Sequence, residues 1–283
     1  MIYYMRLHLA FSRVSRTSWT EATEQNTKLR KLRNAWPDVS NDLFLLSQYL
    51  KGTIAHGTGD LPAASSIYQS ITDTICPPQQ HPQEQQRHTH LRSLPQLDRE
   101  LYLLTTLNLL QIIRNPNHAD HHQCSALLSE IAPLCTPSPN RNIVSAFHLI
   151  SATCPISSTI ITTKQSLSSA LQAAKATSNN QLMCMVLHIM YWKFFSGVIG
   201  EQADKSARAS LTLARKDGNS LWCLVAGGVL AETLEAAGRI EEAGRARQEG
   251  EEYATELPEK IQQAMLEPSP EEEEEDTRMG GYG

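Results

Sequence analysis

Residues 49–69 read YLKGTIAHGTGDLPAASSIYQ. Two small residues, Gly52 and Ala64, stand 12 positions apart around a Gly59-Asp60 turn, and an aromatic, Tyr68, follows four residues after the second. Apolar positions on both sides recur at helical spacing, so the stretch predicts two helices folded back on each other. Side-chain bulk sets how near two helix backbones can come. Glycine and alanine remove that bulk, and an aromatic one turn past the alanine fills the gap toward the next helix.

This is the steric pattern of the tetratricopeptide (TPR) hairpin, a unit of about 34 residues reading W-x2-L-G-x2-Y, then A-x3-F, then P. Gln48 and Ala55 replace its Trp and first-helix Tyr, so the match is degenerate. The unit nevertheless recurs. SARASLTLA carries Ala207, Leu211 and Ala214, and GRIEEAGRARQEG places Ala243 after a turn at Gly238. Ala170, Ala207 and Ala243 follow one another at 37 and 36 positions; Ala22 precedes Ala64 by 42, and Ala126 precedes Ala170 by 44. The expected fold is all-α, an irregular TPR-like helical-hairpin solenoid (an α-α superhelix) over residues 1–256.

Helical periodicity runs through most of the chain and period-two alternation is scarce. Helix pairs are expected at 2–17 and 18–34, 41–57 and 60–75, 97–114 and 120–134, 141–153 and 160–177, 180–198 and 201–216, and 219–237 and 239–256. Pro37, GTGD, RNPNHAD, PSPN and KDGNS punctuate them. Two segments read as unfolded. Residues 76–96 are rich in Pro, Gln and His, which predicts a disordered insert. Residues 257–283, ending in a run of glutamates and glycines, predict an acidic disordered tail.

The chain has 283 residues, 25 Lys and Arg, 30 Asp and Glu, and a net charge of −5. That balance argues against phosphate-driven nucleic-acid binding by the whole chain. Six dispersed cysteines with no CxxC pair fit a reducing compartment. The start, MIYYMRLHLAF, interrupts its apolar stretch with Arg6 and His8 and is not read as a signal peptide. LYLLTTLNLLQII (101–113) is too short to cross a bilayer and contains Asn108. No membrane partner is expected.

The stretches at 43–71 and 166–250, including LLSQYLKGTIAHGTGDLPAASSIYQ and LSSALQAAKATSNNQLMCMVLHIMYWKFF, resemble the fungal branch of the cohesin-loading-factor family, the TPR subunit of the cohesin loader. The resemblance covers roughly residues 1–256 and matches the C-terminal part of longer family members, so N-terminal repeats that wrap the partner segment are expected to be missing from this sequence. It implies a nuclear, non-enzymatic adaptor without cofactors. The implied partner is the extended N-terminal segment of a large HEAT-repeat loader subunit, with cohesin and chromatin reached indirectly. The pair then serves cohesin loading and sister-chromatid cohesion.

His118, His121, His122 and Cys124 could supply zinc ligands for a small hydrolase, but no second ligand pair stands at a recognisable distance, and a solvated helix start is the simpler reading. No GxSxG, HExxH or Gly-rich phosphate loop occurs, and AGGVLAE (226–232) reads as a close-packing helix segment. KLRKLR (28–33) reads as buried leucines beside a solvated basic face, and MVLHIMYWKFF (185–195) as inter-hairpin core. A receptor for C-terminal carboxylates needs a cationic clamp. The inward positions of the relevant helix are Leu46, Tyr49, Thr53 and His56, which cannot form one; the same four are candidates for an apolar peptide groove. The alternative function is a TPR scaffold of another assembly, such as a cell-cycle ubiquitin ligase or a chaperone network.

Overall fold

The computed structural model describes residues 18–35, 41–77, 84–114, 121–154 and 159–265. Among these residues there are twelve helices and no strand, and the architecture is the all-α helical solenoid expected from the sequence. The helices are α1 (Trp19–Ala35), α2 (Asn41–Thr58), α3 (Leu61–Ile75), α4 (Glu84–Ser93), α5 (Gln96–Ile113) and α6 (His121–Cys135). They continue with α7 (Arg141–Thr153), α8 (Ile160–Ala176), α9 (Asn180–Phe194), α10 (Glu201–Asp217), α11 (Ser220–Ala236) and α12 (Ile240–Met265). The helix expected at 2–17 lies outside the described residues.

Five hairpins stack in two layers. The first helices α2, α5, α7, α9 and α11 pack one beside the next, and the second helices α3, α6, α8 and α10 each pack on their own hairpin partner and on the first helix of the following hairpin. Short turns fix the hairpins. Asp60 caps α3 by accepting the Ala63 N–H at 3.1 Å, and Gly59 just before it takes a φ of +89°. The KDGNS turn repeats the device: Gly218 at φ +69° ends α10 in the left-handed conformation, and Asn219 accepts the Trp222 N–H at 3.1 Å to start α11.

The two ends meet. α1 packs between α2 and α12, so the circuit of helix contacts returns to its start. Trp19, Ala22 and Leu29 of α1, Leu50 and Ile54 of α2, and Leu257 of α12 are buried together at this seam, with Leu224 of α11 and Ile261 of α12 against them. Full burial of a leucine such as Leu29 or Leu50 contributes about 1.5–3 kcal/mol. Lys260 Nζ adds a hydrogen bond to Ser220 Oγ at 3.1 Å.

Three boundaries differ from the sequence reading. The expected helix 239–256 runs on to Met265 through Pro258, because Leu257 and Ile261 find apolar partners on α1 and α2. Helical structure therefore reaches nine residues into the segment read as a disordered tail. The expected insert at 76–96 holds α4: Leu91 is fully buried, and Arg87 both meets Glu130 Oε1 at 3.1 Å and donates to the Tyr102 hydroxyl at 3.0 Å. One leucine and one paired guanidinium anchor a helix whose composition is otherwise polar. The helix expected over 180–198 stops at Phe194, where the Phe195 and Ser196 N–H groups both donate to the Tyr191 carbonyl and Gly197 turns the chain at φ +72°.

Candidate functional site

The opening stretch forms the junction of α2, α3 and α5. Tyr68 and Ala64 are fully buried, and the Tyr68 ring lies against Gly52 so closely that a Cβ there would stand 2.6 Å from Tyr68 Cε1. Tyr49 packs its ring 6.0 Å from that of Tyr68, and His56 meets the same ring edge-on at 6.2 Å. Asn108 of α5 donates through Nδ2 to the Tyr49 hydroxyl at 2.9 Å and to the Tyr68 hydroxyl at 3.4 Å. Burial pushes the Tyr49 phenol up to about 12 against the opposing Asn108 hydrogen bond. The Tyr68 phenol rises further, through burial and then the neighbouring Tyr49. Burial likewise lowers the His56 pKa. Each of these shifts favours the neutral form of its group.

The four groove candidates occupy different settings. Leu46 packs half-buried between two core clusters, and Tyr49 turns toward α3 and α5. Thr53 is half-buried and donates its hydroxyl to the Leu50 carbonyl at 2.7 Å, and His56 is half-buried over Tyr68. The two later alanines, Ala207 and Ala243, are fully buried in one cluster with Cys184, Leu211, Ala226 and Leu234. At Gly227 and Gly250 the α11 and α12 backbones come together: a Cβ on Gly227 would lie 3.6 Å from Gly250 Cα.

MVLHIMYWKFF divides its residues. Val186 and Tyr191 are buried, Met185, Ile189, Met190 and Phe194 pack half-buried against α7 and α8, and Trp192 projects with 64% of its surface exposed. Leu97 on α5 and Leu221 on α11 also expose apolar surface on the layer of first helices. Periodicity alone did not single out Trp192, because it falls one turn beyond His188 on a face that reads as core. Leu29 of KLRKLR is buried and Lys28 pairs with Glu24.

The second layer carries charge. Arg208 and Arg239 share Asp204 and Glu242, linking α10 to α12, while Arg215 pairs with Glu249 and Arg247 with Glu235. These pairs are solvent-facing and contribute little individually. His118 and the side chains of His121 and His122 lie outside the described residues; Cys124 is buried in α6. Among the described residues no group of three or more His, Cys, Asp or Glu could hold a metal ion, and no helix is long and apolar enough to cross a membrane.

The model of the family described as Cohesin loading factor matches residues 1–241, most of the chain. The chain belongs to the cohesin loading factor family. That family is a non-catalytic component of cohesin loading. No curated protein and no solved structure matches the chain. Among the described residues the match spans α1 to α11 and the start of α12.

Proposed function

We propose that this cohesin loading factor is a scaffold subunit of the nuclear cohesin loader, acting at chromatin by holding an extended segment of the large HEAT-repeat loader subunit. The family match over residues 1–241 carries the reading. The architecture supports it, since stacked hairpins offer a long continuous surface rather than a deep reactive pocket. Exposed Leu97, Trp192 and Leu221 on the first-helix layer supply apolar anchors, and Leu46, Tyr49, Thr53 and His56 lie on the same layer at α2. Binding would draw on apolar burial with a few dominant residues rather than on ion pairs. Co-expression of the full chain with the N-terminal segment of the large subunit tests it: a complex that survives size-exclusion chromatography is expected. A folded chain that elutes alone at micromolar concentration would overturn the proposal.

A further inference from the structure

A cavity of about 290 Å³ lies where α4, α5 and the α6–α7 connection converge. Its walls are Leu103 of α5, Pro133 and Leu134 of α6, and Pro137 and Pro139 of the connection, with two guanidiniums, Arg92 of α4 and Arg99 of α5. Arg99 donates only to the Arg92 carbonyl, at 3.3 Å, and neither guanidinium meets a carboxylate among the described residues. The one acid on the wall, Glu100, is already engaged: Gln96 donates to Oε1 and Asn140 to Oε2, both at 2.8 Å. Two guanidiniums against one carboxylate leave the cavity wall with one net positive charge.

The connection that forms its rim reads Thr136-Pro137-Ser138-Pro139-Asn140-Arg141. Ser138 lines the cavity itself and is buried, with 7% of its surface exposed. It stands two residues before Asn140, which caps α7 by accepting the Asn142 N–H at 3.1 Å, and Arg141 is exposed in the first turn. A serine followed by proline, with a basic residue three positions on, is the substrate pattern of proline-directed protein kinases. A single hydrogen bond, from the Asn140 N–H at 3.2 Å, holds the hydroxyl inward, while Thr136, Pro137 and Pro139 around it are exposed.

We propose that Ser138 is a phosphorylation site for a proline-directed kinase and that Arg92 and Arg99 receive its phosphate across the cavity. In the transfer, the bond from the ATP γ phosphorus to its bridging oxygen breaks and a bond to Ser138 Oγ forms. ADP leaves and the hydroxyl proton passes to the kinase's base. The product carries close to two negative charges at a helix start, opposite two guanidiniums, an arrangement that orders the elements it joins. It ties α4 and α5 to the start of α7, in the middle of the solenoid.

Treating the full chain with a purified proline-directed kinase and magnesium ATP, then mapping the product by mass spectrometry, reads the first half; Ser138→Ala identifies the site. Phosphorus NMR on the intact phosphorylated chain reads the second. The phosphoserine is expected to titrate roughly one pH unit below its ordinary value near 6. The shift should vanish in Arg92→Ala/Arg99→Ala, whose circular dichroism stays helical because both side chains reach solvent. Transfer to Thr136 alone, no transfer at all, or a titration identical in the two proteins would overturn the proposal.

Discussion

Gly52 and Tyr68 are in contact across the α2–α3 hairpin, with the place of a Gly52 Cβ lying 2.6 Å from Tyr68 Cε1. The ring is fully buried and bounded by Tyr49, His56 and Asn108, so it has little room to retreat. Gly52→Ala should cost about 1–3 kcal/mol through overpacking. Gly228, exposed in the middle of α11 with open space where its Cβ would stand, is the control. There the same change should stabilise by roughly 0.5–1 kcal/mol. Urea unfolding of both variants measures the opposite signs.

Asn108 serves two tyrosine hydroxyls at once. Asn108→Leu removes the donor and leaves both hydroxyls without that partner, at a cost of about 1–3 kcal/mol. Thermal melting of Asn108→Leu, Tyr49→Phe and the double variant reads the coupling. The double variant should lose less than the sum of the single losses.

Alkaline pH should unfold the protein through the same groups. The Tyr49 phenol is raised to about 12 in the fold against 10.0 for the ordinary side chain, and burial also raises Tyr68 and Tyr102. A raised folded pKa means the neutral form is favoured: its contribution is complete below pH 10 and is lost as pH climbs toward 12. Each group withdraws about 1.4 kcal/mol per pH unit in that window. Denaturant midpoints measured from pH 9 to 11.5, with Tyr49→Phe for comparison, check the slope.

On the acid side the imidazoles act. Burial lowers His56, His148 and His188 from the ordinary 6.5. A lowered folded pKa leaves the unfolded chain binding more protons, so stability is complete above pH 6.5 and falls as pH drops below it. The imidazole resonances of these three residues in a proton NMR titration should reach midpoint below pH 6.5.

The seam is held by few side chains. Leu257→Ala should cost about 2–5 kcal/mol if the site cannot collapse. Leu257→Asp should part α12 from α1, moving the emission of buried Trp19 to longer wavelength and raising the radius of gyration in small-angle scattering while helix content is kept.

Much of this fold could be read before any coordinates. Gly52, Ala64 and Tyr68 announce a hairpin because close helix packing leaves a local mark: small residues at fixed spacing, an aromatic one turn on, and a Gly-Asp turn between. The same logic reached Ala207 and Ala243. The seam left no such mark. Leu257 and Trp19 meet across more than two hundred positions, and nothing in QEGEEYATELPEK distinguishes a helix that docks from one that frays. Helix α4 was missed for a related reason, since its anchors Leu91 and Arg87 are two residues in a polar run. Asn108 was legible as a polar side chain inside an apolar helix, but its partners, 59 and 40 positions away, were not. The family resemblance rested on longer stretches and is met by the match over residues 1–241.

Hydrogen exchange of the full chain with and without the extended N-terminal segment of the large loader subunit addresses the scaffold reading most directly. Added segment should slow exchange on the first helices of successive hairpins, α2, α5, α7, α9 and α11, with the strongest protection around Trp192 and Leu221. Unchanged exchange along all five, or protection confined to the second-layer helices α8, α10 and α12, would contradict it.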